Sequence, residues 1–331
     1  MRSNTQNSIF FAKPLYPLLA ALALILCSWG SLKDSRAADS PIQVILNWKA
    51  EPEFGGLYEA QLMGAFEKRG LKVEILEGGA GTPVAQMVAT GRAQFGIAGA
   101  DDVILAQERG MDIQALFATY QNNPQGIMVH EARGLNTIGD VMRAPGKLAM
   151  QKGAGFTLFL QKKYPDAKVT LVPYAGGIAS FLSDPNFSQQ CYITAEPIAA
   201  RDAKIKTKAL LISDEGYNPY GALLVARAQF ITKNETLTRN FISAVREGWA
   251  SYLKNPTRTN AHMQKLNPSM SLATFNEGSR IQAPLIETPE TRRSGLGFMS
   301  LERWQILIAQ LKDLKLVRKE PKAALLFRND L

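Results

Sequence analysis

From Ile42 onward, short apolar runs rich in Val, Ile and Leu alternate with longer segments in which apolar residues recur at helical spacing. A continuous or period-two apolar run bounded by Gly, Pro or Asn reads as a strand, and an apolar stripe at helical period reads as one face of a helix. Strands are thereby predicted over 42–46, 71–76, 95–98 and 113–119, then over 126–129, 147–150, 169–172, 190–194, 209–212 and 222–226. Tyr58, Leu62, Ala65 and Phe66 share a helix face that ends near Gly70. Thr82 before Pro83 has the form of a capping hydroxyl with Pro at the first helical position, and Val84, Met87 and Val88 supply the stripe that follows. Past 226 the pattern is helical, over 237–253, 272–278 and 301–314. This alternation predicts an α/β fold with mixed, mostly parallel sheets.

Two polar, turn-rich segments interrupt the alternation, Tyr120–Gln125 and Asn218–Gly221. The tail is too poor in strands to build its own sheet, so it should pack back on the first part of the chain and leave the middle as an insertion. The expected organisation has two lobes, with 38–124 and 222–331 forming lobe I and 125–221 forming lobe II. The two crossovers between them would act as a hinge. Ligands of open α/β sheets sit at the carboxyl ends of strands beside helix N-termini, which names the loops that carry chemistry.

In the first such loop, Asn47 and Trp48 lead to Glu53, Phe54 and Gly55. Trp48 and Phe54 offer flat faces to a planar ligand, Glu53 offers an acceptor to ring amines, and Gly55 lets the backbone come close. The alternative is that Trp48 is core and the glycine only makes a turn. Gly78–Pro83 is a glycine-rich turn before a helix, where Gly81 and Thr82 would favour an anion, although the loop lacks both the Lys-Ser/Thr pair of a P-loop and the third glycine of the dinucleotide fingerprint. Asp101 is either a helix cap or a ligand contact. Gln125 at the crossover, Gly153 within Gln151–Phe156, and Tyr174 after Pro173 complete the candidates. Glu196, next to Pro197, either caps a helix or pairs with a ligand amine.

The 331 residues hold 38 Lys and Arg against 29 Asp and Glu, a formal charge of +9. Arg2, Lys13, Lys33 and Arg36 are among those bases, and the others are scattered through mixed-sign stretches such as Glu67-Lys68-Arg69. They read as solvated faces, and no nucleic-acid partner is expected. Residues 1–37 have the layout of a signal peptide: a basic start, an apolar run over Leu18–Cys27, and Ser35-Arg36-Ala37 with small residues at both recognition positions. That apolar run is shorter than the ~20 residues a membrane-spanning helix needs. Cys27 is a lipidation candidate, although Leu26 stands where that processing takes a small residue. Removing the signal leaves Cys191 as the one cysteine, so no intrachain disulfide is expected, and neither His130 nor His262 lies beside a nucleophile motif. No catalytic residue, metal or cofactor is expected.

Leu46-Asn47-Trp48, Gly56–Ala60, Gly78–Val84 with Gln86, Gly91–Gly96 and Tyr192–Pro197 together resemble the substrate-binding proteins of ABC importers over most of residues 42–260. Within that group they are most similar to the branch shared by thiamine-pyrimidine precursor binders and thiamine pyrimidine synthases, with sulfonate, taurine and nitrate binders further off. The resemblance implies a type 2 periplasmic-binding-protein fold in a monomeric periplasmic protein. Such a protein closes on a small planar or anionic solute, a thiamine-pyrimidine precursor first among them, and delivers it to an ABC permease and its ATPase. It would touch the membrane only through that permease or through a lipid on Cys27. Synthase members carry a histidine just before the Gly-Leu-Tyr stretch and a cysteine-rich iron motif later on. Here Phe54 stands at the histidine position and only Cys191 lies in the later region, departures that argue against suicide synthase chemistry. A pyrimidine synthase is the alternative from the enzyme class.

Overall fold

The computed structural model describes residues 40–79 and 81–331; the signal read in residues 1–37, with Cys27, lies outside the described residues. The chain begins with β1 (Ile42–Ile45), β2 (Val73–Leu76), β3 (Phe95–Ala98) and β4 (Ile113–Tyr120). It then builds β5 (Gln125–His130), β6 (Lys147–Met150), β7 (Thr170–Pro173), β8 (Phe187–Tyr192) and β9 (Thr207–Leu211), and returns as β10 (Gly221–Arg227). These strands form two five-stranded sheets, ordered β2-β1-β3-β10-β4 and β7-β6-β8-β5-β9. In the first, β1 is parallel to β2 and β3, while β10 enters antiparallel between β3 and β4. The second repeats the arrangement, with β6 parallel to β7 and β8 and with β5 antiparallel to β8 and β9. In each sheet the strand that arrives by a crossover is the one that runs against its neighbours.

The central strands are covered on both faces and so keep continuous apolar runs: β3 is buried throughout, as is β10 up to Ala226, whereas the edge strands β2 and β7 have no fully buried position. Phe95 of β3 stacks on Phe241 at 4.0 Å between ring centroids, which ties the first sheet to the helix Glu235–Lys254. That helix buries Phe241, Val245, Trp249 and Tyr252 on one face, against the helix Gly55–Leu62. Each such side chain contributes roughly 1.5–3 kcal/mol by leaving water.

Three local readings are corrected. The helix after the glycine-rich turn is Val84–Ala89 with Pro83 preceding it, and the Thr82 hydroxyl accepts from the Gly79 amide at 2.8 Å, closing the turn and capping nothing. The helix Ala100–Glu108 is preceded by Gly99, so Asp101 lies in its first turn, and Asp102 is the residue that bonds back to the Gly99 amide, at 3.1 Å. The tail helix expected over 272–278 runs on to Ile286, because Gly278 is no stop: a side chain there would strike the Thr194 carbonyl.

The tail does more than cover the first sheet. Asp202, in the helix Glu196–Asp202 beside β8 and β9, accepts from the hydroxyls of Ser271 and Thr274 at 3.2 and 3.0 Å. At its other end the helix Leu272–Ile286 receives the Gln121 and Asn122 amides on the Leu285 carbonyl, and Gln282 accepts from the Tyr120 hydroxyl at 2.7 Å.

Candidate ligand-binding cleft

The two chain passages between the sheets run side by side and are joined by side-chain amides. The Asn123 amide donates to Asn218 at 2.9 Å, and the Asn123 side chain donates to the Pro219 carbonyl at 3.0 Å. In front of this junction the carboxyl ends of β1, β3 and β6 meet around a cavity of about 290 Å³. Asn47, Asp101, Gln125 and Gly153 line it, and so do Asp102, Tyr192 and Tyr217. Two polar atoms among these are buried without a partner, the side-chain oxygen of Asn47 and the hydroxyl of Tyr217. A buried polar atom left unpaired costs about 1–3 kcal/mol, so both are places for a ligand to bond.

A second group of candidates forms one acidic cluster beside this cavity. The Trp48 indole donates to Glu51 at 2.9 Å. Glu196 opens its helix and accepts from the Tyr174 hydroxyl at 2.7 Å and from the Tyr192 amide at 2.8 Å. Glu53 is 7% exposed, and neither a hydrogen bond nor a cation offsets its burial. Burial and then the charge of Glu196 push the Glu51 carboxyl up to about 8, and burial followed by Glu51 and Glu196 pushes Glu53 well above the usual carboxylate range. Glu196 is also raised by burial, with its bonds to Tyr174 and Tyr192 pulling the other way. On the far side of the cavity, burial and then Asp102 push Asp101 up to about 7. Asp102 is exposed to solvent; its carboxyl is raised by partial desolvation, with its bond from the Gly99 amide pulling the other way.

Phe54 and Gly55 are placed differently from the sequence reading. Phe54 ends a short 3-10 turn, Pro52–Phe54, and is 1% exposed in the hydrophobic core, offering no face to a ligand. Gly55 lies under the Tyr252 ring, so its missing side chain serves packing. Gly81 is exposed at the turn with a φ of 83°, and Thr82 lines a neighbouring hollow of about 820 Å³ that extends to Arg109 and Arg227. Trp48 and Tyr174 are half-buried beside the carboxylates and do not line the 290 Å³ cavity. Glu51, Asp102, Tyr192 and Tyr217 were not singled out from the sequence. Glu51 had a signal, three residues after Trp48 in a loop already marked, whereas Tyr217 reaches the cavity from a crossover far along the chain.

The groups available for covalent or metal chemistry are engaged elsewhere. His130 stacks on Phe181 at 3.9 Å and its Nε2 meets the Phe181 carbonyl at 2.9 Å. Cys191 is buried, and burial raises its thiol well above the ordinary range, away from the reactive thiolate. Among the described residues no three His, Cys, Asp or Glu side chains stand together as metal ligands, so the residues present do not fit an iron site.

A family model described as NMT1/THI5 like matches residues 51–259. The chain belongs to the NMT1/THI5-like family. A 4-amino-5-hydroxymethyl-2-methylpyrimidine phosphate synthase of Uromyces fabae is 29% identical over 96 residues, covering 29% of this chain and 28% of that protein. Matches to two further synthases of that name likewise span about a third of those relatives or less. The riboflavin-binding protein RibY of Chloroflexus aurantiacus is 22% identical over 263 residues, 76% of this chain and 74% of that one. Among solved structures, the periplasmic aliphatic sulphonate binding protein SsuA from Escherichia coli superposes with a TM-score of 0.65 at 18% identity, covering 87% of this NMT1/THI5-like chain and 92% of that one. At such identity the likeness is one of fold, and that fold is the periplasmic-binding-protein fold, α/β with two mixed sheets.

Proposed function

We propose that this chain is an exported solute-binding protein of an ABC importer. In this reading its two lobes, 38–124 with 222–331 and 125–221, close about the paired crossovers on a small planar solute rich in N–H donors. A thiamine-pyrimidine precursor fits this description best. The observation that carries the reading is the acidity of this region: Asp101 and Asp102 line the cavity, Glu51, Glu53 and Glu196 cluster beside it, and loss of solvation raises their carboxyl groups. Such walls favour amino groups and ring N–H, and they set carboxyl groups where a sulfonate or nitrate would need cations or free N–H donors, Lys152 being the one basic residue lining the cavity. A cavity of about 290 Å³ lies at the small end of ligand sites, roughly 300–1,000 Å³, and has room for a single heterocycle. The family's synthases are named for an aminopyrimidine product, which supports the same class. Phe54 at the position of the synthase histidine and the absence of a metal-ligand cluster among the described residues favour binding over catalysis.

Calorimetry with 4-amino-5-hydroxymethyl-2-methylpyrimidine, riboflavin, taurine and nitrate tests the proposal. The expected result is saturable binding of the aminopyrimidine alone, with the ligand recovered unchanged. Preference for taurine or nitrate, or conversion of the pyrimidine, would overturn it.

A further inference from the structure

Two helices direct their N-termini at the cleft cavity from opposite sheets, Ala100–Glu108 after β3 and Gly155–Lys163 after β6. Their N-cap residues, Gly99 and Ala154, provide no side-chain cap. Converging first-turn amides and the positive ends of two helix dipoles make such a place a natural seat for an anion. Asp101 already sits there. One of its carboxyl oxygens lies 2.7 Å from the ideal Cβ position of Gly99 at the start of its own helix, and the other lies 3.1 Å from that of Gly155 at the start of the facing one. Gly155 is required at this spot, since any side chain there would collide with the Tyr217 hydroxyl. Tyr217 is itself only 2% exposed, and its hydroxyl stands beside the Asp101 carboxyl without a well-formed hydrogen bond to it, so it can turn to a ligand.

We infer that Asp101 is the specificity-determining residue of this cleft: its carboxyl group fills the position that a sulfonate, sulfate or phosphate would occupy between the two helix starts. The site thereby rejects small anions and keeps the Tyr217 hydroxyl and the Asn47 side-chain oxygen for a ligand that brings its own N–H donors. This inference rests on reading the cavity as the ligand site, and it explains how a fold shared with a sulphonate binder can hold an acidic cleft.

The test titrates sodium methanesulfonate into wild type, Asp101→Ala and Asp101→Ser at about pH 8, above the raised Asp101 value, with circular dichroism reporting the fold. Wild type is expected to show no saturable binding. Either folded variant should gain it, by about tenfold or more in affinity, the scale of a favourable charge–dipole contact. Binding of methanesulfonate by wild type, or folded variants that titrate like wild type, would overturn the inference. So would loss of folding in both, which would make Asp101 structural. The anion titration does not depend on the aminopyrimidine: if wild type ignores that compound while the variants gain methanesulfonate, the ligand class fails and the role of Asp101 stands.

Discussion

Glu53 and Glu59 lie six residues apart, are 7% and 4% exposed, and have opposite surroundings. Glu59 accepts from Ser251 at 2.9 Å, from the Arg258 guanidinium at 2.8 Å, and from the Thr259 hydroxyl. These bonds tie the helix Gly55–Leu62 to the helices that carry Ser251, Arg258 and Thr259. Glu53 meets two other carboxyl groups and no compensating partner. A buried acid that serves the fold is paired; one left among other carboxyl groups beside a cleft is a candidate to bond something that arrives later.

The largest effect separating the two should come from Glu59→Ala, which strands the buried Thr259 hydroxyl and leaves Ser251 and Arg258 without their acceptor. Urea unfolding is expected to show a loss of about 3 kcal/mol. Stability unchanged by this substitution would erase the distinction. Glu53→Gln should do the reverse: folding intact, and affinity for the aminopyrimidine reduced by about tenfold to a hundredfold, as expected when a carboxyl that can pass its proton to a bound amine is replaced by an amide that cannot. Calorimetry and a melting curve on the same sample separate these outcomes.

The smallest effect is the pH dependence. Glu51 titrates near about 8 and Asp101 near about 7 in the folded chain, both above the unfolded carboxylate value. The native state therefore holds protons that the unfolded chain has released, and the stability this adds is fully present below about pH 4 and lost as pH rises through about 7 to 8. Other groups shape the acid limb, so the informative interval is the upper one: the melting temperature should fall between about pH 6 and 9, and Asp101→Asn should flatten part of that slope. A melting temperature that rises over this interval would contradict the assigned environments.

Much of this architecture is readable from the residues because the central strands are buried and leave apolar runs, as in β3, β4 and β10, while β8, with Ser188-Gln189-Gln190 at its middle, carries a weaker signal. The site was readable where chemistry and position coincide. Asn47, Asp101, Gln125 and Gly153 follow strands or sit at a crossover, and all four line the cavity. Phe54 and Gly55 misled because an aromatic residue and a glycine after a strand fit a ligand platform as well as a packed turn, and only the tail, nearly two hundred residues further on, decides between them. Tyr252 and the Glu235–Lys254 helix close over that turn and make it core. Tyr217 was missed for the same physical reason: its closeness to Asp101 is a product of chain return, which no local pattern encodes.

The helix Leu272–Ile286 holds Asp202 at one end and the Tyr120–Asn122 strand exit at the other. If the proposed closure takes place, this helix is a brace across it, and moving 125–221 against the rest of the chain must either bend the helix or release one of those grips.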